Sequence, residues 1–110
     1  MATVLKPKEI AEGKTTRYWG LVLRNAIDEI WLQRELADSW ETEGPIELDF
    51  EDWKVDVQSF YEEAIGVLVV QYGKNAVREH IKFSNMDEWD KKFIDTIIDI
   101  IGRPFKEAPL

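Results

Sequence analysis

A small α/β domain, with parallel strands and helices packed against the sheet, is the fold the sequence predicts, and three observations carry it. Ile46, Leu48 and Phe50 alternate with Glu47 and Asp49, the period of a strand buried on one face. Longer segments on either side repeat their apolar residues every three or four positions, the period of amphipathic helices. The order strand, helix, strand, helix, joined by a right-handed crossover, makes the two clear strands parallel neighbours. With 110 residues, 45% of them hydrophobic, the chain is read as a single domain, 1–110, with one core.

Residues 2–6 offer a short strand through Val4 and Leu5, closed by Pro7, so residues 1–12 are expected to be weakly ordered or an edge strand. Thr15 or Thr16 can cap a helix on which Trp19, Leu23, Ala26, Ile27 and Ile30 recur at helical spacing, and which continues through Trp31 and Leu36. Glu43-Gly44-Pro45 is a turn that ends it and launches the strand at Ile46. Ser59, with Glu62 three residues on, has the form of a capping box, in which hydroxyl and carboxylate each satisfy a backbone N–H. The helix that follows carries the stripe Phe60, Ala64, Val67 and Leu68 and ends at Gly73. Residues 80–83 read as a second strand. Ser84 or Asn85 then caps a last helix with the stripe Trp89, Phe93, Ile97, Ile100 and Ile101, stopped by Gly102 and Pro104, and residues 104–110 are expected to fray. These periods put Ile46, Leu48, Phe50, Val67, Leu68, Ile81, Phe83, Phe93 and Ile97 in one core.

Charge and composition exclude several functions. Acidic residues outnumber basic ones 22 to 14, and the net charge of −8 works against nucleic acid or an anionic membrane and favours a basic partner. Cysteine is absent, which removes disulfides, thiol catalysis and thiolate metal sites. No basic segment leads into an apolar one at the start, and no apolar run approaches the ~20 residues of a membrane span, so a cytoplasmic location is expected. Gly13, Gly20, Gly66 and Gly73 are scattered and form no phosphate-cradling loop, and no cofactor is expected. His80 is the sole histidine, without a Gly-x-Ser-x-Gly elbow anywhere, and no catalytic residue is assigned. Asp49, Glu51 and Asp52 lack the turn-forming glycine of a metal loop and read as a solvated acidic edge, so no metal is expected.

Five tryptophans stand out. Trp19 and Trp89 lie on helical stripes and read as core. Trp53, in a loop between strand and helix and flanked by acids, has the amphipathic ring that suits an interface. For Trp53, Trp31 and Trp40 alike, interface and satellite packing are equally open.

Leu48-Asp49-Phe50, a short loop, then Gln58-Ser59-Phe60 and the acids Glu62 and Glu63, resembles the centre of the STAS-like domain family of unknown function. Gly13-Lys14-Thr15-Thr16-Arg17 and Ile81-x-Phe83-x-Asn85 add weaker agreement, while Asp52-Trp53 and Tyr61 depart from the family's usual pattern. That family is a distant relative of the anti-sigma-factor antagonists, whose regulatory serine is phosphorylated at this strand–loop–helix junction. The resemblance implies that Ser59, the matching position, is a phosphoacceptor if it is not only a helix cap. It further implies a protein partner, a histidine-kinase-type ATPase or another regulator in a partner-switching system. The expected function is a non-enzymatic, protein-binding regulatory module that docks through 53–63, with Trp53, Asp56, Gln58, Glu62 and Glu63 as its contacts. One alternative is an acidic inhibitor, as a phage would deploy, that occupies the nucleic-acid-binding groove of its target. A second is a small acid/base enzyme using Asp49 and Glu51. Neither partner nor oligomeric state is legible in the sequence.

Overall fold

The computed structural model describes residues 3–102. Three parallel strands, β1 (Thr3–Leu5), β2 (Ile46–Asp49) and β3 (Ile81–Ser84), form a sheet in that order. The register sets Leu5, Leu48 and Phe83 in one row and Thr3, Ile46 and Ile81 in another, while Glu47 lies between Val4 and Lys82. Because side chains alternate across a strand, one face gathers the apolar rows and the other carries Val4, Glu47, Asp49, Lys82 and Ser84. Ile46 and Leu48 are fully buried, whereas Val4 and Lys82 are exposed. A parallel sheet is normally covered on both faces. Here polar side chains satisfy one another on the open face: the Ser84 hydroxyl donates to Glu47 at 2.8 Å and the Asn85 amide to Asp49 at 2.9 Å.

The helices are α1 (Pro7–Ile10), α2 (Arg17–Ala37), α3 (Trp40–Glu43), α4 (Gln58–Tyr61), α5 (Val67–Tyr72), α6 (Lys74–His80) and α7 (Glu88–Ile101). A π turn, Glu62–Gly66, joins α4 to α5 without a break. Pro7 ends β1 as expected and opens α1, since a missing N–H costs nothing in a first helical turn. α2 buries Gly20, Leu23, Ile27, Trp31 and Arg34. A Cβ on Gly20 would stand 2.6 Å from the Phe60 carbonyl oxygen, so the glycine is what lets the α2 and α4 backbones touch. Arg34 donates to the Thr3 hydroxyl at 2.7 Å and ties α2 to the edge strand.

Ile46, Leu48, Phe50, Leu68, Ile81 and Ile97 occupy the core, as their periods predict. Phe83 and Phe93 pack at its edge, and Val67 is half-buried, its place taken by Val69. The π turn explains that exchange. The buried rows Phe60, Ala64, Leu68 and Tyr61, Ile65, Val69 keep a spacing of four, which an α-helix would rotate by about 40° per step. The wider π turn cancels part of that rotation and holds both rows over the sheet.

Three further expectations are corrected. The second strand starts at Ile81, because His80 closes α6, a helix the sequence reading left out. Neither Ser84 nor Asn85 caps the last helix: Ser84 belongs to β3 and Asn85 is left-handed (φ 53°), and the cap is Asp87, whose carboxylate accepts from the Trp89 N–H at 2.9 Å. α7 turns Asp90, Ile94, Ile97 and Ile98 inward, leaving Trp89 57% and Ile100 55% exposed. The expectation for residues 104–110 lies outside the described residues.

Candidate functional site

The loop after β2 brings the chain to the helix start. Asp52 and Asp56 both adopt left-handed backbone (φ 57° and 51°), which aspartate tolerates better than most residues. Two contacts hold the loop in that shape. The Trp53 N–H donates to the Phe50 carbonyl at 3.1 Å. More consequentially, the fully buried Asp90 on α7 accepts the Val55 N–H at 2.8 Å and the Asp56 N–H at 2.9 Å, one on each carboxylate oxygen. Asp90 thus clamps the loop to the last helix. The Tyr61 hydroxyl is buried and makes no hydrogen bond among the described residues. Burial first, and then the negative charge of Asp90, push this phenol far above its ordinary range.

Ser59 is the second residue of α4, half-buried, and it does not cap the helix. The N-cap is Val57, with the extended backbone that position demands (φ −130°, ψ 111°), and among the described residues no side-chain capping bond forms there. The capping box therefore does not form, because the helix begins before Ser59 and puts the serine itself on helical backbone.

The residues expected to meet a partner part company. Gln58 and Glu62 line one groove. Glu63 turns the other way, to Arg17 at 3.3 Å and Arg24 at 3.8 Å on α2, and Arg17 also lies 3.8 Å from Glu62. Asp56 is exposed. Trp53 is half-buried, stacked over Phe50 (6.1 Å, 12°) and edge-on to Phe60 (5.6 Å, 80°), so much of its ring serves packing.

The groove beside Gln58 and Glu62 has a volume of about 490 Å³ and follows the outer face of α7. From α7 it is lined by Trp89, Phe93, Thr96, Ile97, Ile100 and Ile101, and among the described residues its ionisable side chains are Glu62 and Lys92. Trp89 and Ile100 were expected in the core. The signal that they are something else was present: α7 carries the apolar set Ile94, Ile97, Ile98 and Ile101 as well, too wide an arc for one buried face. Trp31, for which interface and packing stood open, is core: it is 1% exposed and stacks on Tyr72 at 4.3 Å. Tyr72 donates to Asp28, and burial together with that bond pushes its hydroxyl up to about 12. His80 stacks on Trp40 at 3.7 Å.

Asp49 and Glu51 sit with Lys6, Lys8, Glu9 and Asp52 in a polar depression of about 170 Å³. Asp49 is an acceptor here: the Asn85 amide and the Glu51 N–H, at 2.9 and 3.0 Å, share one of its oxygens and hold its carboxyl below the usual range. Among the described residues no three His, Asp or Glu side chains converge as a metal site, and no helix is long and apolar enough to cross a membrane.

Residues 33–91, more than half of the chain, match the family described as STAS-like domain of unknown function (DUF4325). The chain belongs to this family. No curated protein and no solved structure matches it. The matched STAS-like segment runs from the end of α2 into α7 and contains β2, the clamped loop, Ser59, the π turn, β3 and Asp90. Phe93, Thr96 and Ile100 of the groove lie beyond it.

Proposed function

We propose that this STAS-like chain is a non-enzymatic regulatory module that docks a protein partner across the helix start at 53–63 and the groove beside it. The observation that carries the reading is the groove itself, which Gln58 and Glu62 of the helix start line together with the exposed Trp89 and Ile100 and the half-buried Phe93 of α7. From Trp89 to Ile100 it extends roughly 16 Å at the helical rise of 1.5 Å per residue, the reach of three turns of a helix with an apolar stripe. An exposed tryptophan in an apolar concavity has the character of a binding hot spot. Among the described residues the lining is mostly apolar, with Glu62 and Lys92 its ionisable side chains, the character of a protein-docking surface.

The kinship of the family with the anti-sigma-factor antagonists makes a histidine-kinase-type ATPase or another regulator the partner to seek, with Ser59 as the candidate phosphoacceptor. A phosphate on Ser59 would stand in the first turn of the continuous 58–72 helix, where the helix dipole favours negative charge, between Gln58 and Glu62 in sequence. The test is affinity capture from the native host, identification of the captured protein, and titration of that protein against variants. Trp89→Glu and Glu62→Lys should each weaken binding at least ~10-fold, and Leu36→Ala, remote and 89% exposed, should leave it unchanged. Unaltered affinity in both groove variants refutes the proposal.

A further inference from the structure

We infer that the helix seated in this groove is α7 of a second copy of the chain, so that the module is an antiparallel homodimer from which a foreign partner must displace one copy. The inference rests on the reading of the groove as a docking surface. Trp89, Phe93, Thr96 and Ile100 are spaced four, three and four residues apart, the seam spacing of paired helices, and all four line the groove. A two-fold axis between Ile94 and Asp95 would lay Trp89 against Ile100 of the second copy and Phe93 against Thr96. Each large ring then meets a smaller side chain, the condition for interdigitation.

Charge selects the same arrangement. That axis sets Lys92, at one border of the seam, opposite Asp99 of the second copy. Lys92 takes part in none of the ion pairs among the described residues. Asp99 receives Lys74 at 2.8 Å and Arg78 at 3.1 Å, both on Oδ1, which leaves Oδ2 for a further cation. A parallel pair would instead stack Phe93 on Phe93, with rings of equal size colliding, and would set Lys92 opposite the apolar Ile97 of the second copy, with no counter-charge. Thr96, the smallest seam residue, is exposed and lies near the axis.

The test is sedimentation equilibrium of the 110-residue chain over a wide concentration range, with Thr96→Glu as the probe. The exposed position lets this variant keep the monomer fold, checked by far-ultraviolet circular dichroism, while it brings two carboxylates together near the axis. Self-association of the wild type, weakened ~10-fold or more in the variant, supports the inference. The absence of cysteine makes the orientation readable as well. Mixed Phe93→Cys and Thr96→Cys chains should form a disulfide-linked dimer, and Phe93→Cys alone should not. A wild type that stays monomeric, a dimer indifferent to Thr96→Glu, or efficient self-linking of Phe93→Cys each overturns it. The two readings fail separately: a monomeric wild type whose Thr96→Glu variant loses the captured partner defeats the homodimer and leaves the groove as a foreign-protein site.

Discussion

Replacing Asp90 should unfasten the helix-start loop, and the size of the effect follows from its two bonds. Hydrogen bonds to a carboxylate contribute ~1.5–3 kcal/mol each, and the two here, at 2.8 and 2.9 Å, differ in what is left behind when they go. Val55 is buried, so its N–H would be stranded, whereas the exposed Asp56 can turn its N–H to water. Asp90→Ala should therefore cost about 3–5 kcal/mol, one stranded donor, one weakened bond and a small void taken together. Asp90→Asn keeps one acceptor and points an amide donor at the other N–H, and should cost about 1–3 kcal/mol. Urea unfolding followed by tryptophan fluorescence measures both, and hydrogen exchange at the Val55 amide reports the loop directly. A loss below ~1 kcal/mol for Asp90→Ala, with Val55 still protected, would refute the clamp.

Further predictions concern packing, the helix start and pH. Gly20→Ala should destabilise by about 1–3 kcal/mol despite the better helix propensity of alanine, because the added methyl meets the Phe60 carbonyl at 2.6 Å; a melting temperature at or above wild type would contradict this. Ser59→Ala should change stability by no more than ~0.5 kcal/mol, since no capping bond is lost, and a drop above ~1 kcal/mol in urea unfolding would restore the serine as a cap. Tyr72 has its hydroxyl raised from 10.0 to about 12 in the folded chain. A raised folded value gives stability that is complete below the unfolded pKa and is lost as the pH climbs through the folded one. Tyr72→Phe should accordingly flatten the fall in urea midpoint between pH 10 and pH 12, and an unchanged slope would count against the Asp28 contact.

What the sequence by itself determined was local. β2 follows from five alternating residues, the break after Tyr72 from Gly73, and the central Leu48-Asp49-Phe50 and Gln58-Ser59-Phe60 carry the family resemblance, because each is settled within a few neighbouring residues. The limits of α4 were not local. Ser59 had the chemistry of a cap, but the helix start is set by a loop that Asp90 holds from 34 and 35 residues away, and a serine already inside the helix cannot cap it.

The same physics decided which aromatic residues are buried. Periodicity shows that α7 has apolar positions over a wide arc; it does not say which part of that arc another helix will cover. The long helix 58–72 and α6 pack on α7, where Ile94, Ile97 and Ile98 are buried, and Trp89, Phe93 and Ile100 remain as the groove. Trp31 is enclosed because Trp40, Tyr72 and His80, from three other parts of the chain, converge on it. Burial is a property of what packs against a residue, and those neighbours are distant in sequence, so only the tertiary structure could separate a core stripe from a candidate docking face.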